Sequence, residues 1–156
     1  MVHASRTIKV NGDPKEPKLT RDLVWRGLVM KAENPLPFVP VITKCTVRER
    51  GPDRLVREIV DKGDIIVENV TFHPQRMVKF ERVTGRVLGT ILNEIVEENG
   101  DLALRFTFTL SVEGVAPGSA AESEFAANME QGYLMAVAAT LRAMRNLAKE
   151  NALPAQ

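Results

Sequence analysis

The sequence is poor in the residues that most often mark redox and metal chemistry. It holds one cysteine, Cys45, and two histidines, His3 and His73, among 156 residues. A single cysteine cannot form a disulfide within the chain, so nothing indicates an oxidising compartment. None of these residues stands in a C-x-x-C or H-E-x-x-H spacing. We therefore expect no metal and no other cofactor.

Long apolar runs and an excess of either charge are also missing. The chain has 21 Lys and Arg against 20 Asp and Glu, which gives a formal net charge of +1. Such a balance provides no electrostatic reason to expect nucleic acid as a partner. No stretch approaches the roughly 20 apolar residues that a spanning helix needs, and Arg6 and Lys9 interrupt any N-terminal signal sequence. These absences predict a cytoplasmic protein that does not insert into membranes.

The chain does contain a series of short alternating segments between two helical ones. Candidate strands cover residues 41–50, 54–60, 65–72, 77–84, 89–96 and 102–112, with short turns between them. The last segment alternates apolar with polar residues, which is the period-two pattern of a half-buried strand. Because no helix interrupts this series, we predict an antiparallel meander rather than a parallel sheet.

Two helices flank the strands. An extended segment over 3–10 precedes a helix that Thr20 can cap and that ends before Pro35. A capping box from Ser119 to Glu122 opens the second helix, which runs to about Glu150 without a proline. At 1.5 Å per residue this helix is about 45 Å long, so it must dock an apolar stripe to be stable. The stripe comprises Phe125, Met129, Tyr133, Val137, Leu141, Met144 and Ala148.

These elements predict an α+β fold in one domain over residues 1–156. The order strand, helix, six-strand meander and long helix resembles the helix-grip fold of the START and birch-pollen-allergen (PR-10) superfamily, also called SRPBCC. Three motifs resemble the AtaL-like branch of that superfamily. They stand at 23–28 followed by 34–35 and 38–40, at 80–85, and at 104–108. The resemblance implies a curved antiparallel sheet wrapped around the C-terminal α-helix.

The resemblance also implies a function. Relatives with this fold hold a cavity between sheet and helix that binds lipids, polyketides or other apolar molecules, and some carry out cyclase-type chemistry there. The expected partner is therefore a small hydrophobic ligand. One difference stands out, because plant members carry a glycine-rich loop after the second strand. Here the equivalent turn is only Gly51-Pro52-Asp53, so any function of that loop has no counterpart.

Twelve residues are predicted to bind the ligand, and strand parity supplies the polar ones. If the aromatic and aliphatic residues of a strand face inward, Glu68, Arg82 and Asn93 face inward with them. Buried polar groups are costly unless paired, so these three would form a network or orient a ligand. A bulge that reversed the parity would instead place them in solvent. The full set is Trp25, Phe38, Glu68, Phe72, Phe80, Arg82, Asn93, Phe106, Phe108, Met129, Tyr133 and Val137.

Three functions compete on this evidence. A ligand carrier is preferred, because no residue set converges at catalytic spacing. An enzyme of the polyketide-cyclase type would use Glu68, Arg82, Asn93 or Tyr133 as acid–base or carbonyl-orienting groups. A raised pKa would suit Glu68 to that role, whereas a pair with Arg82 would hold it ionised. A protein-interaction module or homodimer would use Trp25 and a strip of small residues, namely Gly132, Ala136, Ala139 and Ala143.

Overall fold

The computed structural model describes residues 1–149, and its first helix forms where the capping residues predict. Helix α1 spans Arg21–Glu33. The Thr20 side chain accepts a hydrogen bond from the Leu23 amide at 3.2 Å, which satisfies one of the free N–H groups of the first turn. The helix ends at the cap residue Asn34, immediately before Pro35.

Seven strands form one curved antiparallel sheet, so the predicted meander is confirmed. Along the sheet the strands follow the order β1-β7-β6-β5-β4-β3-β2, in which the N-terminal strand pairs with the last one. Strand β6 is longer than predicted at both ends, and β5 stops before the predicted residue 84. The strands are β1 Val2–Lys9, β2 Ile42–Gly51, β3 Arg54–Asp61, β4 Asp64–His73, β5 Met77–Arg82, β6 Val87–Glu98 and β7 Asp101–Val112.

The long C-terminal helix α2 spans Ala120–Lys149. Its predicted end near Glu150 lies outside the described residues. Ser119 caps the helix, because its hydroxyl accepts a hydrogen bond from the Glu122 amide at 3.2 Å. The Glu122 carboxylate accepts in turn from the Gly118 amide at 3.1 Å, one residue before the partner that a capping box uses.

The apolar stripe of α2 divides into two parts. Val137, Leu141 and Met144 are fully buried in the main core together with residues of α1 and the sheet. Met144 reaches so close to α1 that a Cβ at Gly27 would lie 2.7 Å from its Cγ. Nearer the start of α2, Met129 and Tyr133 are only partly buried. The helix is therefore packed tightly on the core along its second half and more loosely along its first half.

Two negative findings complete the description. Among residues 1–149, no helix is both long enough and apolar enough to cross a membrane. In the same part of the chain, His, Cys, Asp and Glu side chains form no group of three or more that could hold a metal ion.

Candidate functional site

A cavity of about 360 Å³ lies between the inner face of the sheet and the loosely packed half of α2. Most of its wall is apolar, and its exposed rim includes Lys62, Asp64, Arg86 and Asn128. The apolar wall comprises Val39, Val41, Ile42, Ile59, Ile66, Phe80, Val87, Ile91, Phe106, Val112, Phe125, Met129 and Ala136. A second, more open groove of about 460 Å³ runs along the other side of α2, beside Ile8 and Leu141, and carries several charged side chains.

Seven of the twelve predicted ligand-binding residues lie on the cavity wall: Glu68, Phe80, Arg82, Asn93, Phe106, Met129 and Tyr133. The predicted inward parity of Glu68, Arg82 and Asn93 is confirmed, since all three side chains are buried or nearly so. The bulges of the sheet fall on β2, between Ile42 and Lys44 and between Val47 and Glu49. They leave the strands that carry these polar residues in regular register.

The structure does not place the other five residues on the wall. Phe38 and Val137 are fully buried in the main core. Trp25 and Phe72 pack edge to face with ring centroids 6.3 Å apart. Phe108 is separated from the cavity by Tyr133, whose ring stacks on it at 4.5 Å. These five residues are as hydrophobic as those on the wall and stand at matching positions in their helices and strands, but neighbouring side chains separate them from the cavity.

A buried ionic network forms the polar end of the cavity, with Glu68 at its centre. One carboxylate oxygen, Oε1, accepts from Arg57 Nε at 2.9 Å and Nη2 at 2.8 Å, and the other, Oε2, accepts from Arg82 Nε at 3.1 Å. The sheet dictates this arrangement, because Arg57 pairs with Glu68 across β3 and β4, and Glu68 pairs with Arg82 across β4 and β5. Arg82 also lies 3.4 Å from Asp61.

The network fixes the charge of Glu68. Burial alone would raise the pKa of its carboxyl, but the guanidinium groups of Arg57 and Arg82 together outweigh burial and hold that pKa below its ordinary value. Glu68 is therefore a carboxylate at neutral pH, with both oxygens engaged. It serves as a counter-ion for two arginines and is poorly suited to donate a proton.

Lys31 approaches the same end of the cavity from α1. Its Nζ donates to Asn93 Oδ1 at 2.7 Å and lies 4.8 Å from the centre of the Phe106 ring and 5.3 Å from that of Phe80. Burial, and then repulsion from Arg57, lower the pKa of Lys31 to about 7, against a smaller opposing effect of Glu68. The charged and neutral forms of this amine are thus close in free energy near neutral pH.

Sequence reasoning missed Lys31, Arg57 and Asp61, although two of them leave a signal. Arg57 alternates with buried Leu55 and Ile59 on β3, so strand parity alone directs it inward. Lys31 follows the buried Leu28 by three residues, on the core face of α1. Asp61 ends its strand and has no such signal.

A family model described as acetylaranotin biosynthesis cluster protein L, AtaL, matches residues 4–151. The chain belongs to the AtaL family. No curated protein matches this AtaL-family chain in sequence.

Solved structures share its fold at low sequence identity. The di-domain aromatase/cyclase StfQ of the steffimycin pathway superposes with a TM-score of 0.71 and 13% identity over 97% of this chain and 52% of its own length. The chain thus spans about half of StfQ. The ZhuI aromatase/cyclase from a Streptomyces species superposes with a TM-score of 0.66 and 17% sequence identity. The match covers 96% of this chain and 94% of ZhuI. Ara h 8.0201 superposes with a TM-score of 0.58 and 12% sequence identity, and the match covers 96% of this chain and 98% of Ara h 8.0201. The helix-grip fold and the AtaL-like branch are thereby confirmed.

Proposed function

We propose that this AtaL-family chain binds a small hydrophobic molecule in the cavity between the sheet and α2. The observation that carries the proposal is the cavity itself. Protein interiors are close-packed and contain few voids larger than a water molecule, whereas ligand pockets typically enclose about 300–1,000 Å³. The volume of about 360 Å³ lies within that range.

The composition of the wall supports a ligand that is apolar over most of its length. The rings of Phe80 and Phe106 and the side chain of Met129 offer flat and adaptable surfaces, which suit an aromatic or polyketide-like skeleton. Charged groups are gathered at one end, around Glu68. Such a wall holds an elongated apolar molecule in one direction, with its polar group toward the network.

The state of Glu68 argues against its use as the acid–base group of a cyclase. An acid–base role would need a carboxyl that gains and loses a proton near neutral pH, but two arginines keep the pKa of Glu68 low. Several of the solved structures with this fold are aromatase/cyclases, and their likeness to this chain is one of fold. We therefore propose that the polar groups orient the ligand. A homodimer stays a prediction, and two residues of its expected surface, Gly132 and Ala136, also line the cavity.

A cavity-filling variant tests the proposal. Ala136 is partly buried on the cavity wall, so Ala136→Phe places a ring in the space that a ligand would use. We expect this variant to weaken binding of the fluorescent probe 1-anilinonaphthalene-8-sulfonate at least tenfold. The matched control Ala127→Phe, on an exposed position of the same helix, should bind like the wild type. Equal binding by both variants would place the probe elsewhere and contradict the proposal.

The natural ligand is accessible to a second experiment. Native mass spectrometry of the protein purified from its own host should show a bound species of small-molecule mass. That species should be lost from Ala136→Phe and retained by Ala127→Phe.

A further inference from the structure

One buried donor in the cavity wall has nothing to bind. Asn93 is 1% exposed, and its Nδ2 has no hydrogen-bond partner within residues 1–149. Its Oδ1 accepts from Lys31 Nζ, and that bond fixes which end of the amide carries the N–H groups. Natural proteins satisfy nearly all buried polar groups, because an unmade hydrogen bond is costly. An unpaired amide nitrogen on the wall of a cavity therefore indicates that the ligand supplies the missing hydrogen-bond acceptor.

The neighbour of Asn93 is a second donor. Lys31 carries more N–H groups than its single bond to Asn93 uses. Apart from that bond, its Nζ faces the rings of Phe80 and Phe106, which provide no hydrogen-bond acceptor oxygen. Two neighbouring nitrogens, from α1 and β6, thus border the cavity with unused donor capacity.

The charges near this pair favour a ligand oxygen over a ligand amine. The cationic groups are Lys31, Arg57 and Arg82, against the carboxylates of Glu68 and Asp61. Both oxygens of Glu68 already accept from arginines. Three hydrogen bonds from the arginines already occupy Glu68, so a ligand donor would compete with them, whereas a ligand oxygen would meet the unused N–H groups of Asn93 and Lys31. The lowered pKa of Lys31 agrees with this, because an oxygen acceptor would offset part of the free energy that burying the ammonium costs.

We infer that Lys31 and Asn93 form a subsite for a carbonyl or enolate oxygen, so that the ligand is a hydrophobic molecule with an acceptor oxygen at one end. The inference rests on the proposed function and deepens it. The oxygen accepts from Asn93 Nδ2 and from Lys31 Nζ, while the apolar skeleton lies along Phe80 and Phe106 toward α2. No covalent step is involved.

Two probes of the same shape test the subsite. 2-Acetylnaphthalene carries a ketone, and 2-isopropenylnaphthalene replaces its C=O by C=CH₂. The measured quantity is the ratio of their affinities for the wild type and for Asn93→Leu, which cancels their different solubilities in water. We expect Asn93→Leu to reduce the preference for the ketone roughly tenfold while the hydrocarbon still binds. The control variant Asn69→Leu, at an exposed position, should leave the ratio unchanged.

A second variant guards against loss of structure in the first. Asn93→Asp keeps an acceptor for Lys31 and removes the free N–H donor, so it should disfavour the ketone even more strongly. Circular dichroism would establish that each variant is folded. An unchanged ratio in folded Asn93→Asp would overturn the subsite and leave cavity binding intact. Failure of both probes to bind the wild type would contradict the proposed function, and the subsite with it.

Discussion

At the scale of single residues, Glu68 has the largest energetic consequences. Its carboxylate is 1% exposed and lies between Arg57 and Arg82, which are also buried. Breaking a buried ion pair from one side leaves uncompensated charge in a medium that solvates it poorly. The three residues are therefore energetically coupled, and a change in any one alters the cost of burying the others.

Removal of the central charge should destabilise the protein strongly. We predict that Glu68→Gln lowers the free energy of unfolding by about 3 kcal/mol, because Arg57 loses the carboxylate it pairs with and Arg82 is left with its 3.4 Å contact to Asp61. Urea denaturation measures this directly. Glu81→Gln, at the exposed neighbour of Arg82 on β5, should change stability by less than about 0.5 kcal/mol. Equal effects of the two substitutions would contradict the network.

The same carboxylate gives a pH dependence with a defined sign. The pKa of Glu68 is lowered in the folded protein, while the unfolded chain keeps a value near 4.5. Unfolding therefore takes up a proton as the pH falls below about 4.5, and the stabilisation that Glu68 provides is lost toward the lower folded-state pKa. Denaturation midpoints between pH 5 and pH 3 should fall more steeply in the wild type than in Glu68→Gln. Parallel curves would exclude this linkage.

Lys31 should have the opposite effect on stability. Its pKa falls from 10.5 to about 7 on folding, so the unfolded chain binds the proton more tightly between these values and stability rises with pH there. Replacing it by a side chain of similar length removes the cost of burying the ammonium. We predict that Lys31→Met is more stable than the wild type at pH 7 by about 1–3 kcal/mol, after the loss of the hydrogen bond to Asn93 Oδ1 is set against the gain, and that it loses that pH slope. A less stable Lys31→Met would show that the amine stabilises the fold.

Single residues show how far sequence reasoning extends to a site. Strand parity placed Glu68, Arg82 and Asn93 correctly, because alternation is a local property of the chain. The contact between Lys31 and Asn93 joins residues 62 positions apart and depends on how α1 packs across the sheet. No local period contains that information. Parity also could not show that Tyr133 covers Phe108.

At the scale of elements, backbone contacts set limits that the sequence marks only with a glycine. Gly89 on β6 has a φ of 135°, and a Cβ there would lie 2.1 Å from the carbonyl oxygen of Thr109 on β7. The strand continues through this point and pairs with both neighbours. The sequence alone suggested that strand β6 begins at Gly89. The structure shows instead that the glycine lies inside the strand at a close approach of two backbones.

Substitution of this glycine should be costly. We predict that Gly89→Ala destabilises the protein by at least about 2 kcal/mol, because both the backbone conformation and the available space disfavour a side chain. Thermal unfolding followed by circular dichroism measures the effect. Gly12→Ala, where the nearest atom is Lys9 Cβ at 3.6 Å, should be nearly neutral. A wild-type melting temperature for Gly89→Ala would contradict the tight approach.

Helix α2 shows the same limit of prediction. Its start at Ser119 and its apolar stripe follow from capping chemistry and helical period. Which part of the stripe is packed against the core, and which part covers a cavity, depends on where α1 meets the helix. Gly27 and Met144 mark that contact, and the sequence gives neither residue a distinguishing pattern.

At the scale of the whole molecule, the fold followed from patterns in the chain, whereas the cavity was expected only from the family resemblance. The order of elements, with motifs at 23–28, 80–85 and 104–108, is enough to indicate a helix-grip fold of the AtaL family. The volume of the cavity is a small difference between two large volumes, that of the space inside the curved sheet and that of the side chains that fill it. Exchanging a few side chains between large and small would close the cavity without changing any pattern on which the prediction depends.

The most direct test of the account is methyl NMR of the protein titrated with 2-acetylnaphthalene. The account predicts shifted signals and ligand-to-protein contacts at the cavity methyls of Ile66, Ile91 and Met129. The signals of Ile8 and Leu141, in the groove on the other side of α2, should stay in place. Shifts confined to Ile8 and Leu141, or no shift at any of these methyls, would contradict ligand binding between the sheet and the helix.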